Sequence, residues 1–314
     1  MRRLIHRVSS AERTRHNTFT AIPLDRCGEH RADANWMAKQ CSASGARWLA
    51  FDGEGHAPVT DGHLCWLDAA RVATDAPANF LGQRDGVPVL ALRGPIDRGV
   101  FPAAQWLDLR TAADELERFE AGLFAYARSL ANWQDATRHC AYCGAPLALV
   151  DGGHRALCKG CGRLHFPRTD AAIIVIVEHE DACLLGRQAA WRPRQYSTLA
   201  GFVEPGESLA DAVRREVREE TGVEALDCDF HSSQPWPFPA SLMLGFTATA
   251  AARDIRLADG ELEDARWFTA RDIADGLRDG TLRVSSPLSI SYRLIEHWLR
   301  TRAGVELAAL PRAD

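Results

Sequence analysis

Residues 199–221 read Leu-Ala-Gly-Phe-Val-Glu-Pro-Gly-Glu-Ser-Leu-Ala-Asp-Ala-Val-Arg-Arg-Glu-Val-Arg-Glu-Glu-Thr, and this stretch decides the fold. Its first part, 199–207, contains two glycines and a proline, which predicts a loop. The remainder, from about residue 208 to 221, predicts an amphipathic helix that stops at Gly222. Ahead of both lies the longest apolar run of the chain, 171–177, which predicts a buried strand. We therefore predict a strand, a loop and a helix in a chain of mixed α and β structure.

The predicted helix places acidic residues on the face that should be buried. On a helical wheel with Leu209 as reference, Glu216 and Glu220 fall within the apolar stripe, about 20° to either side of Leu209, and Glu219 flanks them. An ordinary charged helix would have these glutamates on its solvent face. Two inward carboxylates one turn apart would repel each other and lose hydration unless a cation met them. Because hard carboxylate oxygens prefer Mg²⁺ or Mn²⁺, we predict a site for one of these ions.

Four of the nine cysteines form two C-x-x-C pairs, Cys140 with Cys143 and Cys158 with Cys161. Four thiolates satisfy tetrahedral Zn²⁺, and the glycine after each pair permits the tight turn that aims both sulfurs inward. Two redox dithiols are the alternative, but the doubled spacing favours zinc. With no ligand position left open, the zinc is predicted to be structural. His165 and the other histidines show no metal-ligand spacing.

Composition and charge exclude several classes of protein. A hydrophobic share of 46% excludes a disordered chain, and no window approaches the roughly 18 apolar residues of a membrane span. The net charge of −5 argues against an overall field that attracts polyanions. An odd number of cysteines is not a secreted disulfide framework, and residues 1–20 carry no apolar segment typical of a secretory signal. We therefore expect a cytoplasmic protein.

The N-terminal half is predicted to contain short strands and one long helix. Between residues 80–81 and 87–92, the dipeptide Asp85-Gly86 predicts a β-hairpin. Apolar residues recur at three- and four-residue steps from 112 to 133, which predicts a continuous amphipathic helix. This half contains no catalytic pattern of its own.

Residues 233–241 read Ser-Gln-Pro-Trp-Pro-Phe-Pro-Ala-Ser. Three prolines at alternate positions prevent this segment from forming a central strand. They leave Trp236 and Phe238 as a stiff aromatic surface on which a planar base could stack, with Ser233, Gln234 and Ser241 as polar groups. Aromatic side chains that fill the core of a rigid loop are the alternative. The residues alone leave both open.

Together these motifs resemble the NADH pyrophosphatase subfamily of the Nudix hydrolases. The spacing Gly201-x5-Glu207-x7-Arg215-Glu216-Val217-x-Glu219-Glu220-x-Gly222 resembles the complete Nudix box, and the ribbon cysteines and the proline-rich segment resemble those of the subfamily. The resemblance implies an α+β chain in which a Nudix α/β/α sandwich follows a four-Cys zinc ribbon and an N-terminal mixed β domain. The expected boundaries are 1–135 for the N-terminal domain with its closing helix, 136–168 for the ribbon, 169–305 for the Nudix domain and 306–314 for a tail.

The resemblance also implies a function. It is hydrolysis of the central diphosphate of NAD(H) to AMP and nicotinamide mononucleotide, with removal of NAD caps from RNA in some members and a homodimer as the assembly. A Nudix hydrolase of ADP-ribose or of a dinucleoside polyphosphate is the first alternative. A ribbon protein that docks RNA while the site trims 5′ ends is the second, which the acidic net charge disfavours. A catalytically silent module would need a damaged box, and this box is intact.

Position by position, the resemblance assigns roles to single residues. Glu207 and Arg215 would hold the loop against the helix, and Glu219 is the candidate general base, with Glu216 as its rival. The expected ligands of Mg²⁺ or Mn²⁺ are the carbonyl of Ala200 and the carboxylates of Glu216, Glu219, Glu220 and Glu261, with Glu263 and Asp264 competing for the last position. The expected substrate-binding residues are Arg110, Phe166, Phe202, Ser233, Gln234, Pro235, Trp236, Pro237, Phe238, Pro239, Ala240, Ser241 and Ser291.

Overall fold

The structure, a computed structural model, describes residues 8–20, 22–73, 76–257 and 260–313. The predicted absence of a secretory signal concerns residues 1–20, of which 1–7 lie outside the described residues. The helices of the described residues are α1 (Ser10–His16), α2 (Ala34–Cys41), α3 (Leu109–Glu115), α4 (Arg118–Ala136), α5 (Leu209–Thr221), α6 (Ala270–Arg278) and α7 (Ile290–Ala303). Among these described helices, none combines the length and the apolar character that a bilayer crossing requires.

The strands are short in the first half of the chain and longer in the second. They are β1 (Arg47–Phe51), β2 (Ala57–Thr60), β3 (His63–Leu64), β4 (Leu67–Asp68), β5 (Ala78–Arg84), β6 (Val87–Pro95), β7 (Gln105–Leu107), β8 (Leu147–Val150), β9 (Arg155–Cys158), β10 (Leu164–His165), β11 (Asp170–His179), β12 (Ala182–Arg187), β13 (Gln195–Tyr196), β14 (Leu199–Phe202), β15 (Ala225–Trp236), β16 (Ser241–Ala250), β17 (Asp264–Thr269) and β18 (Arg283–Val284).

The described chain forms two compact units. The C-terminal unit contains residues 8–18, 170–235 and 241–313, and the N-terminal unit contains 19–169, apart from the undescribed positions, together with 236–240. This grouping differs from the predicted segments at both chain ends. Residues 8–18 pack with the C-terminal unit because α1 binds β15, where the Arg13 Nε donates to the His231 carbonyl at 2.9 Å. In the predicted tail, Leu307 is fully buried and the Ala313 amide bonds to the Leu277 carbonyl, so this segment is packed.

The C-terminal unit is an α/β/α sandwich. Its sheet has the strand order β15-β16-β11-β12-β17, with β14 paired to the same edge of β11 as β12, and β11 runs parallel to β16. The two faces of β11 bury alternate side chains. Ile173 and Val175 pack with α5 residues such as Val213, whereas Ile174 and Ile176 pack with residues of α6 and α7. The sequence prediction of a buried strand over 171–177 is confirmed, and the sheet holds α5 against one face.

The N-terminal unit contains a small mixed sheet, a small antiparallel sheet and the ribbon. The first sheet has the order β4-β1-β6-β5, the second β3-β2-β7 and the ribbon β10-β9-β8. The predicted hairpin is confirmed: β5 and β6 pair across Asp85 and Gly86, whose φ angles of 52° and 78° are those of the turn that matches the strand twist.

The predicted continuous helix over 112–133 is wrong. The structure has two helices, α3 and α4, separated by Leu116 and Glu117, both of which have extended ψ angles near 150°. Leu116 is buried although it lies in the break, so the apolar periodicity continues across a point where the backbone is not helical. A pattern of buried side chains therefore cannot reveal this break.

Candidate active site

The glycine-containing segment before α5 begins as a strand. Residues 199–202 form β14, which pairs antiparallel with β11 so that Ala200 lies opposite Ile174 and Gly201 opposite Ile173. The prediction of a loop over 199–207 is therefore wrong for its first four residues. The physical reason is a long-range pairing that local composition does not reveal: β11 offers its edge to this segment, and only the residues after Phe202 turn toward the helix.

Helix α5 has the predicted ends and the predicted acidic face. The Ser208 side chain accepts a hydrogen bond from the Asp211 amide, and Gly222 ends the helix with a left-handed φ of 71°. Glu216 is 9% exposed and Glu220 is 3% exposed, which confirms that both carboxylates lie on the inward stripe. Leu209, the reference of the wheel, is exposed, because the buried cluster under α5 begins only at Ala212.

Arg215 ties the turn to the helix. Its guanidinium holds Glu207 with two hydrogen bonds, from Nε to Oε1 at 2.6 Å and from Nη2 to Oε2 at 2.9 Å. Nη2 also donates to the Phe202 carbonyl at 2.8 Å. The hydrogen bonds from Arg215 lower the pKa of Glu207 to about 2, so the pair is ionised at any working pH. The structure thus brings Glu207 and Arg215 together.

The same guanidinium orients the two candidate bases. Its Nη1 donates to Oε1 of Glu216 at 2.8 Å and to Oε2 of Glu219 at 3.0 Å. The two carboxylates differ in access to water, since the side chain of Glu216 is 12% exposed and that of Glu219 is 51% exposed. Arg215 therefore fixes one buried and one open carboxylate side by side on α5.

The Glu216 carboxylate occupies the space that a side chain at residue 201 would fill. A Cβ at residue 201 would lie 1.9 Å from Cδ of Glu216, so no larger residue fits while Glu216 keeps this position. Burial raises the pKa of Glu216, Arg215 opposes this shift, and the negative charges of Glu219 and Glu261 add to it. A buried carboxylate surrounded by further carboxylates is the donor set of a hard divalent cation, and these residues therefore fit Mg²⁺ or Mn²⁺.

The structure distinguishes Glu261 from its two competitors. Glu263 forms an ion pair with Arg187, and Asp264 accepts a hydrogen bond from the Tyr196 hydroxyl and pairs with Arg266 at 2.7 Å. Glu261 is instead close enough to Glu216 for its charge to raise the pKa of that residue. Of the three acids, Glu261 is the one whose charge acts on Glu216 of α5.

Two predicted substrate residues are buried within the C-terminal unit. Gln234 is fully buried, and its amide donates to the Leu288 carbonyl at 2.7 Å and accepts from the Ile290 amide at 2.7 Å. Ser291 is also fully buried, and its hydroxyl accepts from the Thr198 amide at 3.1 Å. The side chain of Gln234, which the sequence indicated as a polar group beside the aromatic surface, is therefore turned inward by β15.

The aromatic residues of the proline-rich segment lie in the N-terminal unit beside Arg110. The Arg110 guanidinium is 4.4 Å from the ring centre of Phe238 and 5.3 Å from that of Trp236, and the two rings meet edge to face at 5.0 Å. Pro237 and Pro239 border a cavity of about 450 Å³ that Arg110 also lines. The sequence named these residues separately, and the structure brings them together.

The proline-rich segment, residues 233–241, lies at the edge of the sheet, as its prolines predicted. Strand β15 is the outermost strand of its sheet and ends at Trp236, and the Phe238–Pro239 peptide bond is cis. The two predicted stacking residues outside this segment, Phe166 and Phe202, are 61% and 59% exposed. Both rings are therefore accessible to a ligand.

The four ribbon cysteines converge as a zinc site. All four Sγ atoms lie within 4.8 Å of one another, with Cys143 to Cys158 at 3.4 Å and Cys140 to Cys161 at 3.7 Å. Tetrahedral thiolates bound at about 2.3 Å would be roughly 3.8 Å apart, so the cysteines fit Zn²⁺. The amides of Cys161 and Gly160 point at the Cys158 sulfur and lower the pKa of that thiol to about 6.

The structure places His165 where sequence reasoning did not. Its Nε2 lies 3.3 Å from the sulfur of Cys140, so this histidine contacts a zinc ligand although it is not one of the four. Histidines that hydrogen-bond a metal ligand orient it and tune its basicity. The position just after the second C-x-x-C hairpin, on β10, was the one sequence feature that could have indicated this contact.

Family models match three parts of the chain. They are the NUDIX domain at residues 167–286, the NADH pyrophosphatase zinc ribbon domain at 135–166, and the NADH pyrophosphatase-like rudimentary NUDIX domain at 45–133.

Three relatives illustrate the coverage. The chain is 40% identical over 199 residues to the NAD-capped RNA hydrolase NUDT12 of Homo sapiens, an alignment that covers 59% of this chain and 43% of that protein. It is 39% identical over 231 residues to the NAD-capped RNA hydrolase NudC of Stutzerimonas stutzeri, covering 74% of this chain and 80% of the relative. It is 35% identical over 297 residues to NudC of Mycobacterium bovis, covering 88% and 95%.

The chain thus spans less than half of the human relative but nearly all of the mycobacterial one. With the acidic helix, the four-cysteine ribbon and all three matching domains in one sequence, the chain belongs to the NADH pyrophosphatase subfamily of the Nudix hydrolases.

Proposed function

We propose that this protein hydrolyses the central diphosphate of NAD(H) to AMP and nicotinamide mononucleotide, and that it removes NAD caps from RNA at the same site. The observation that carries the proposal is the carboxylate cluster of α5, in which Glu216 rests against Gly201 with Glu219 beside it. The relatives named as NAD-capped RNA hydrolases support the substrate class.

The proposed metal ligands are those that the sequence indicated, namely Ala200, Glu216, Glu219, Glu220 and Glu261. Bound Mg²⁺ or Mn²⁺ would neutralise the diphosphate oxygens and acidify a water for in-line attack on phosphorus. Within the chain, Arg215 holds Glu216 and Glu219 in fixed positions and is itself held by Glu207.

We assign the general base to Glu219 and the supporting role to Glu216. The half-exposed carboxylate of Glu219 can take a proton from water and return it to solvent, whereas Glu216 is enclosed by Gly201 and α5. The raised pKa of Glu216 favours a metal-ligand role, since a buried charge needs a cation to offset its desolvation.

Substrate recognition is proposed to use aromatic stacking and one arginine. Trp236 and Phe238 offer rings to a planar base, and Arg110 offers a cation already aligned with both rings. Phe166 and Phe202 are the further proposed stacking residues. The remaining proposed contacts are Ser233, Gln234, Pro235, Pro237, Pro239, Ala240, Ser241 and Ser291, of which Gln234 and Ser291 are fully buried in the structure.

We further propose that the protein is a homodimer and works in the cytoplasm. The family resemblance supports the dimer. None of the nine cysteines forms a disulfide in the structure, which suits a reducing compartment.

Product analysis tests the function. The purified protein with Mn²⁺ or Mg²⁺ should convert NADH to AMP and the reduced mononucleotide in equal amounts, and NAD-capped RNA to a 5′-monophosphorylated RNA. The panel should include ADP-ribose and a dinucleoside polyphosphate. Rapid turnover of either, with NADH and NAD-capped RNA untouched, would overturn the proposed substrate and leave a different Nudix specificity.

A further inference from the structure

The N-terminal unit contains a second cleft that the proposed hydrolysis does not use. The cleft has a volume of about 480 Å³ and is bordered by the end of β1 and the turn after it, by β6 and by α4. Its walls combine apolar side chains, such as Phe51, Leu92 and Leu149, with several charged groups. This volume lies within the range of pockets that bind small organic molecules.

Arg93 is the unusual charged group of this cleft. It lies on β6, its Nε is buried, and no atom of the described residues accepts a hydrogen bond from that nitrogen. Burial lowers the pKa of Arg93, and no described carboxylate counters the shift. The side chain of Arg93 is half-buried, and a buried N–H without an acceptor is unfavourable, so an anionic ligand that accepts from Nε would stabilise it.

A second guanidinium, that of Arg128, borders the same cleft from α4. It lies flat against Gly55, where a Cβ would come within 2.3 Å of its Cζ, and it donates to Asn132 Oδ1 at 2.9 Å. The ring centre of Phe51 is 5.9 Å from its Cζ. These contacts hold Arg128 at the wall of the cleft without an ion pair to any described carboxylate.

The carboxylates of the cleft are occupied elsewhere. Asp52 is held by Arg98 and by the amides of Glu54 and His56, which together lower its pKa although burial opposes this. Asp135 is at the exposed rim and lies 3.6 Å from Arg138. Asp52 and Asp135 influence Arg128 through their charges alone. The third carboxylate of the lining, that of Glu54, lies 3.3 Å from Arg98. Arg93 and Arg128 are therefore lining arginines that form no ion pair with a described carboxylate.

We propose that this cleft binds a nucleotide, with its phosphate between Arg93 and Arg128 and its base or sugar against the apolar wall. A bare phosphate would fill only a small part of the volume, and an uncharged nucleoside would leave Arg93 without a partner. The phosphate can belong to a free mononucleotide or to a nucleotide of an RNA chain. Binding at this cleft can be measured separately from the proposed hydrolysis, because it uses neither α5 nor its carboxylates, although Arg128 also lines the cavity beside Arg110.

Calorimetry on the full zinc-loaded chain, in buffer without Mg²⁺ or Mn²⁺, tests the site with AMP, inorganic phosphate and adenosine as probes. AMP should bind more tightly than either fragment. Arg93→Gln should weaken this binding by at least about tenfold, the loss expected for a charge-assisted hydrogen bond to phosphate. Arg47→Gln is the matched control, because Arg47 is an exposed arginine of β1 that stacks on Trp66 and does not border the cleft.

A second variant keeps both charges. Ala131 borders the cleft from α4, so Ala131→Phe should fill it and abolish the Arg93-dependent binding, with the melting temperature recorded to show that the chain is folded. If Arg93→Gln weakens AMP binding and also raises KM for NAD-capped RNA but not for NAD, the RNA supplies the nucleotide. If it weakens AMP binding and changes neither KM, the ligand is a free mononucleotide.

The proposal fails if wild-type protein binds AMP no better than phosphate or adenosine. It also fails if folded Arg93→Gln and Ala131→Phe bind AMP as the wild type does. Neither result would bear on NADH hydrolysis, which is measured separately.

Discussion

Helices α5 and α4 lie in different units, and each lays a charged side chain on a glycine. On α5 the charge is the carboxylate of Glu216 against Gly201, and on α4 it is the guanidinium of Arg128 against Gly55. The neighbours extend the contrast, since α5 adds further glutamates whereas the α4 cleft adds Arg93. One arrangement suits a cation and the other an anion. The charge that packs on the glycine is negative on α5 and positive on α4, so we expect the two helices to bind ligands of opposite charge.

The largest expected effect is a loss of turnover when a glutamate of α5 is replaced. Glu219→Gln keeps the shape of the side chain but removes its ability to accept a proton, so kcat for NADH should fall by about 10²–10⁴ while substrate still binds. Glu216→Gln should instead act through metal affinity and raise the Mn²⁺ concentration needed for activity. Near-normal kcat in Glu219→Gln, with a large loss in Glu216→Gln at saturating Mn²⁺, would reverse the two assignments.

The glycine contact itself provides the next prediction. Gly201→Ala should push the Glu216 carboxylate out of its place, because the new Cβ would lie 1.9 Å from Cδ of Glu216. We expect metal affinity and activity to fall by about 10–100-fold, as for the loss of a group that positions a metal ligand. Titration of Mn²⁺ against activity measures the effect.

Two further variants separate this steric cause from a general loss of stability. Gly53→Ala is the control, because a Cβ at residue 53 meets no atom within 4 Å. The double variant Gly201→Ala with Glu216→Asp shortens the carboxylate and should recover part of the metal affinity. Wild-type affinity for Mn²⁺ in the single variant Gly201→Ala would show that the contact between Gly201 and Glu216 does not position the carboxylate.

Local sequence features predicted the parts of the site that depend on neighbouring residues. The ends of α5 follow from Ser208 and Gly222, whose capping interactions involve residues within one turn. The inward position of Glu216 follows from helical periodicity. The two cysteine knuckles follow from spacing alone.

Features that depend on distant pairings were missed. Residues 199–202 became a strand because β11 offers an edge to them, and Gln234 was buried because β15 faces it toward Leu288 and Ile290. His165 met Cys140 only through the fold of the ribbon. The break between α3 and α4 was invisible because buried residues continue through it.

The zinc ribbon offers a prediction confined to the N-terminal unit. Cys158→Ser removes a thiolate that accepts from the amides of Gly160 and Cys161, so bound zinc should fall at least about tenfold. Elemental analysis of the purified chain measures zinc directly. Cys65→Ser is the control, because Cys65 is not among the four converging thiols and should leave the zinc content unchanged. Stoichiometric zinc in Cys158→Ser would require a different fourth ligand.

The smallest expected effect concerns one histidine in each unit, the buried His231 and the half-buried His154. Burial lowers the pKa of His231 in the C-terminal unit to about 3, and the charges of His297, Arg13 and Arg300 add to the shift. Burial likewise lowers the pKa of His154 in the N-terminal unit to about 4, partly opposed by its hydrogen bond to the Phe80 carbonyl. Both rings are therefore neutral in the folded protein.

The sign of the pH dependence follows from these shifts. Between the folded pKa values and the ordinary histidine value near 6.5, the unfolded chain binds more protons than the folded one. Above pH 6.5 the two histidines therefore do not reduce the free energy of unfolding. As the pH drops from 6.5 toward 4, this free energy falls by at most about 1.4 kcal/mol per pH unit for each histidine. Urea unfolding at a series of pH values should show a shallower slope for His231→Gln and for His154→Gln. If only one variant reduces the slope of the free energy of unfolding against pH, only the histidine replaced in that variant contributes to the loss of stability in acid. An unchanged slope in both variants would mean that neither ring is held neutral in the folded protein.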